Sequence, residues 1–133
     1  MKTISRGIRN NNPLNIRIGN TWLGERPHPT DNQFEEFVTM EYGLRAAFLI
    51  LRRYIRRYKL NTPTLIVSRW APSSENNTAA YIKTVCNYGI FEPDTVIDYA
   101  DKDKMVRLVS AMALVECGQL IDVRKIAAAY DMA

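Results

Sequence analysis

A change of period near Met40 constrains this chain more than any other feature. From there Leu44, Ala47, Phe48, Leu51, Ile55 and Tyr58 recur at three- and four-residue spacing. That spacing stacks side chains along one face of a helix. Arg45, Arg52, Arg53, Arg56, Arg57 and Lys59 decorate its flanks, and the later ones suit the negative end of a helix dipole. Before Met40 the pattern is different. Asn10, Asn11, Asn12 and Pro13 are turn formers, so Arg6 to Gly19 reads as irregular chain. Within it Leu14, Ile16 and Ile18 alternate with Asn15 and Arg17, a short strand pattern. Gly19-Asn20 turns the chain, Thr21-Trp22-Leu23 is a candidate partner strand, and Phe34 to Val38 a third. The expected fold is mostly α (α+β), a helical domain with a small antiparallel β-hairpin or sheet near the N-terminus.

Further helices follow. Thr62 is a candidate N-cap with Pro63 at the first helical position, and Leu65, Ile66 and Trp70 form the buried side. Ala71 to Asn77 is a loop. A helix then carries Tyr81, Ile82, Val85 and Cys86 to about Tyr88, with Gly89 ending it. Asp101 or Asp103 caps the next helix, and Asp122 caps a last one from Val123 to Tyr130. With 133 residues and no repeat, low-complexity tract or linker, the chain reads as one domain.

The helix ending at Gly118 holds the residue of most chemical interest. At about 100° per residue from Met105, Leu108, Val109, Met112 and Val115 share one side, and Lys104, Arg107 and Ser110 the other. Glu116 falls inside the apolar stripe, in the last turn before a candidate left-handed cap. A carboxylate leaving water loses solvation, and the helix C-terminus adds to the effect. Both raise its pKa, and a carboxyl protonated near neutral pH is a general acid. A Glu tied to an Arg, or one exposed by fraying, is the structural alternative.

Other chemistries lack their parts. Two cysteines do not make a disulfide framework. Cys86 is in phase with the apolar face, and Cys117 has no activating base. The single histidine, His28, lies between two prolines. No metal site, cofactor motif, phosphate loop or Ser-His-Asp order is present. No apolar run reaches the roughly 20 residues of a membrane span. Met1 to Ser5 holds no apolar signal core, so synthesis is expected in the cytoplasm; work at the cell wall then requires lysis or a particle that carries the protein. The net charge of +4 permits nucleic acid, an anionic membrane face or an acidic wall polymer as partner. The run from Arg45 to Lys59 is either such a surface or a solvated face, and the modest charge disfavours nucleic acid.

What remains is Glu116, carboxylates in loops (Glu25, Asp31, Glu35, Glu36, Glu75), and aromatic residues near turns (Trp22, Trp70, Tyr81, Tyr88). An acid beside an aromatic-lined groove is what glycoside cleavage needs. Each aromatic is equally at home in a core.

Two segments carry a resemblance. Arg6-Gly-Ile-Arg-Asn-Asn-Asn-Pro-Leu-Asn-Ile-Arg17 and Trp70-Ala-Pro-Ser-Ser-Glu-Asn-Asn-Thr-Ala-Ala-Tyr81 resemble a phage and prophage family often labelled virion structural protein. That family is similar to the lytic protein of enveloped double-stranded RNA phages, which has a lysozyme-like fold. A second likeness is to flagellar-type glucosaminidases. Asn12-Pro-Leu-Asn-Ile-Arg17, Trp22-Leu-Gly24, Phe34 to Phe37, Leu44 to Tyr58 and Asn77-Thr-Ala-Ala-Tyr81 follow their order. Their opening Glu-Ser-Gly helix resembles Ala113-Leu-Val-Glu-Cys-Gly118 at the other end of this chain. The resemblance thus implies a circularly permuted, lysozyme-like domain that cleaves peptidoglycan, as lytic transglycosylase or glycoside hydrolase. Glu116 would be the acid, and Trp22, Tyr81, Asn15 and Arg17 would bind substrate. Glu75 would be a second carboxylate or a helix-capping residue. Cys117 stands where that pattern has Ser, and Pro13-Leu14 where it has Leu-Phe. The implied partners are peptidoglycan and phage virion proteins; the alternative is a non-catalytic virion or wall-binding protein.

Overall fold

The computed structural model describes residues 4–133; residues 1–3, part of the N-terminal segment read for a signal core, lie outside the described residues. Among the described residues six helices run in order: α1 (Arg6–Arg9), α2 (Met40–Arg56), α3 (Pro63–Trp70), α4 (Thr78–Gly89), α5 (Lys102–Cys117) and α6 (Val123–Met132). Each of the last five begins where a side chain satisfies a free backbone N–H. Thr39, Thr62, Asn77, Asp101 and Asp122 accept from Tyr42, Leu65, Ala80, Lys104 and Arg124. Asp101, not Asp103, is therefore the cap of α5.

Helix α5 is the centre. It packs on α4 and α6, and α6 in turn packs on α2. Met105, Leu108, Val109, Ala111, Met112 and Ala113 are all fully buried, so burial extends well past the single stripe that the periodicity outlines. Ala111 and Ala113 widen it, because small side chains let neighbouring helices approach. At the end of α4 the left-handed residue is Ile90, at φ 62°, not the expected Gly89. Gly89 stays helical against the Phe91 ring, and the Arg107 guanidinium donates to the carbonyls of Gly89 and Ile90.

The expected N-terminal hairpin does not form. Arg6 to Arg9 is a short helix, and the rest has two isolated antiparallel bridges, Arg17 with Phe34 and Glu25 with Phe37. The segment around Phe34–Phe37 thus lies between the other two, and Trp22 does not pair back on Leu14–Ile18. The cause is the asparagines. Asn11 and Asn15 take left-handed φ values of 52° and 54°, tolerated by asparagine and incompatible with a continuous strand. Buried Asn12 then replaces the missing ladder. Its Nδ2 donates to the carbonyls of Ile16 and Glu35 at 2.9 and 3.0 Å, and its Oδ1 accepts from the Ile16 N–H at 2.9 Å.

The loop carboxylates do the same structural work. Asp31 takes a two-pronged contact from Arg6 at 2.6 and 2.7 Å and accepts from the N–H groups of Gln33 and Phe34. The Arg6 bond first, with Asn10 and those N–H groups, holds its carboxyl well below the usual carboxylate range. Glu36 accepts from Thr30, Asp31 and Arg26 and is likewise lowered, the backbone N–H of Asp31 being the largest cause. This segment is pinned to the helices by Gly43. A Cβ there would stand 1.8 Å from the Asn11 carbonyl oxygen, so only glycine lets α2 lie against the asparagine turn.

Candidate functional site

The last turn of α5 meets the asparagine turn. Asn15 Nδ2 donates to both the carbonyl oxygen and Oε1 of Glu116, at 3.1 and 3.2 Å, across 101 residues of sequence. From α4 the Tyr81 hydroxyl donates to Glu116 Oε2 at 3.0 Å. Gly118 closes the helix in the left-handed conformation, φ 77°. The carboxyl is half-buried, and burial is the main influence on it. Burial raises its pKa above the ordinary glutamate value, against hydrogen bonding from Asn15 and Tyr81, which lowers it. Desolvation wins, as the apolar-phase position requires.

Glu116 opens into a cleft of about 480 Å³. One wall is aromatic: Trp70 and Tyr54, edge to face with centroids 6.0 Å apart, and Phe34. Trp70 is held by its indole N–H on the Leu14 carbonyl, 3.3 Å away. Arg6 and Arg17 lie over the Phe34 ring at 4.6 and 4.9 Å. The remaining polar lining includes Asn15, Arg17, Asn20, Asn76 and Glu75. Aromatic faces flanked by amides and cations suit a polar ring compound with hydroxyl and amide substituents.

The residues singled out in the sequence separate into three groups. Asn15, Arg17, Glu75 and Glu116 line this one cleft. Glu75 is exposed in the α3–α4 loop and is not a helix cap; Asn77 fills that position. Tyr81 is buried, 5% exposed, and lies beneath the cleft as a partner of Glu116, not as a ring stacked on ligand. Burial and the neighbouring Glu116 push its own pKa up, so it stays a donor. Trp22 lies outside the Glu116 cleft, in an adjoining pocket. Asp31 and Glu36 are occupied in the loop fold, Glu35 is buried there with its Oε2 unpartnered, and Cys117 is buried with its thiol pKa raised chiefly by burial. Among the described residues no cluster has the makings of a metal site, and no helix is long and apolar enough to cross a membrane.

Sequence reasoning missed Phe34, Ile50 and Tyr54 as lining residues. Tyr54 carried a signal: seven residues after Ala47 and three after Leu51, it is a large ring at the edge of the apolar face of α2. Phe34 carried none, since its place depends on the Arg17 bridge.

No family model matches the chain. The chain is related to a phage protein: it is 47% identical over 87 residues to Protein P5 of Pseudoalteromonas phage PM2, covering 62% of this chain and 54% of that protein. The match thus spans about half the length of that relative.

Proposed function

We propose that the chain is a phage enzyme that cleaves the glycan strands of peptidoglycan, with Glu116 as general acid. One observation carries this reading: a half-buried carboxyl of raised pKa, gripped by Asn15 and Tyr81, at the floor of an aromatic-walled cleft. Protonated, Glu116 gives its proton to the glycosidic oxygen, and the sugar left behind acquires oxocarbenium character. Arg17, Asn15 and Asn76 hold polar substituents, while Trp70 and Tyr54 offer ring faces. The expected permutation calls for Glu116 beside Tyr81 and Trp22; the Tyr81 bond and the Asn15 bonds support it, while Trp22 falls in the adjoining pocket.

Glu116 and Glu75 are the two carboxylates of the lining. In a lytic transglycosylase Glu116 alone serves: having given up its proton, it accepts one from the sugar's own hydroxyl as that oxygen closes on the anomeric carbon. A hydrolase uses a second carboxylate for water or the covalent intermediate, and Glu75 would be that group. The exposed Glu75 favours the transglycosylase. Delivery to the wall, by lysis or within a virion, belongs to the same proposal.

The test is digestion of purified peptidoglycan by the wild-type chain, Glu116→Gln and Glu75→Gln, with products read by mass spectrometry. Anhydro-muropeptides are expected from wild type and Glu75→Gln. Glu116→Gln should be slower by about 10²–10⁴-fold, the span of a general-acid contribution. Reducing-end products lost in Glu75→Gln would make it a hydrolase. An equally active Glu116→Gln, or no release by any folded form, would sink the proposal, the latter in favour of a virion structural role.

A further inference from the structure

A second pocket, about 700 Å³, adjoins the Glu116 cleft and shares Asn20 and Ile50 with it. Arg52, Arg53, Arg56 and Arg57, with Asn20 and Thr21, form its polar lining, and Trp22 stands among the apolar residues. On α2, positions 49, 52, 53, 56 and 57 fall within one side of the helix, so the four guanidiniums converge on one surface. Arg52–Arg56 and Arg53–Arg57 are like-charge pairs at i,i+4, which oppose helix formation. Among the described residues none of the four is in an ion pair, although seven ion pairs form elsewhere. Arg52 and Arg56 are steadied over the Tyr99 ring at 5.8 and 5.1 Å, which fixes them without neutralising them. Arg53, Arg56 and Arg57 are exposed, free to meet a ligand.

We infer that this pocket is a carboxylate-binding subsite that takes the acidic peptide side branches of the glycan whose backbone lies in the Glu116 cleft. The inference rests on the proposed activity for the identity of the polymer. Guanidinium forks match carboxylates with two parallel hydrogen bonds, and the shared Asn20–Ile50 rim lets one ligand occupy both cavities. A nucleic acid would meet the same charges, but the wall of Trp22, Leu49 and Ile50 encloses a branch better than it follows a phosphate backbone.

The experiment is co-sedimentation of the Glu116→Gln chain, chosen so that digestion is slow, with three materials: intact sacculi, sacculi with carboxyls capped as amides, and glycan strands stripped of peptide. A second protein adds Arg53→Gln and Arg57→Gln, which leaves the Tyr99 stacks intact. Intact sacculi should bind about tenfold more tightly than the other two, and the arginine variant should lose that advantage, as expected for two charge-assisted contacts. Equal binding of all three by the unaltered pocket would overturn the inference. So would an arginine variant that binds sacculi normally yet loses a 20-mer DNA duplex at low salt, which assigns the pocket to nucleic acid. Cleavage of stripped strands by the wild-type chain is read separately, so a failed subsite and a failed activity give different results.

Discussion

Two halves of this molecule reach order by different means. In α2 to α6 the apolar side chains do it: Leu44, Phe48, Leu51, Leu108, Val109, Met112 and Ile126 are fully enclosed, and helix backbones satisfy themselves. From Asn10 to Val38 there is little regular structure. There Asn10, Asn12, Asp31 and Glu36 supply bonds that a sheet would draw from its own backbone. The first half tolerates approximate sequence, because burial is non-directional. The second depends on individual polar atoms, and a buried carbonyl or N–H left alone costs its desolvation. The catalytic candidate stands where the halves touch.

Paired substitutions would break or sharpen this contrast. Leu108→Ala should lower the stability of the whole domain by about 2–5 kcal/mol, seen as a global fall in denaturation midpoint and in amide protection of every helix. Asn12→Ala should cost about 2–3 kcal/mol, with hydrogen exchange accelerating first between residues 10 and 38 while α4 and α5 stay protected. Uniform loss of protection in Asn12→Ala would show that the halves are one cooperative unit.

At the junction, Tyr81→Phe removes a donor that favours ionised Glu116. The Glu116 pKa should rise further, and if Glu116 is the proposed acid, which would work protonated, the alkaline limb of the pH–activity curve should move to higher pH. An unmoved limb would separate Tyr81 from the chemistry.

The smallest effect lies within the polar half. Burial first, then Glu25, pushes Glu35 up to about 7, so the folded state holds a proton that the unfolded state releases. Its contribution is complete below the unfolded value, 4.5, and is lost as pH rises through about 7. Asp31 and Glu36, lowered on folding, act oppositely: their contribution is present above the unfolded values and lost as pH falls. Glu35→Gln should flatten the decline between pH 4.5 and 7 and leave the acid limb, as read by denaturation at a series of pH values. A decline that persists unchanged would assign it elsewhere, Glu116 first.

The same contrast explains what the sequence disclosed. The period of Leu44 to Ile55 and the caps at Thr62, Asp101 and Asp122 are local, and they can be read without knowing the partner. So can the apolar phase of Glu116. The N-terminal segment misled, because Leu14, Ile16 and Ile18 alternate as a strand does while Asn15 turns left-handed between them. Ile18 is accordingly 51% exposed. Whether Trp22 shares a cavity with Glu116 depended on which segment lay beside Phe34, and bridges of one residue leave no pattern.

The bond between Asn15 and Glu116 also orders events in time. Translation delivers Asn15 early and Glu116 about a hundred residues later, the loop closure of greatest entropy in this site. A ribosome-bound chain that has emerged through Gly89 already holds Trp70, Tyr81 and the four arginines, but neither Glu116 nor the Tyr99 ring that steadies Arg52 and Arg56. The site is thus assembled only once the central helix has arrived and set its final turn against the asparagine turn.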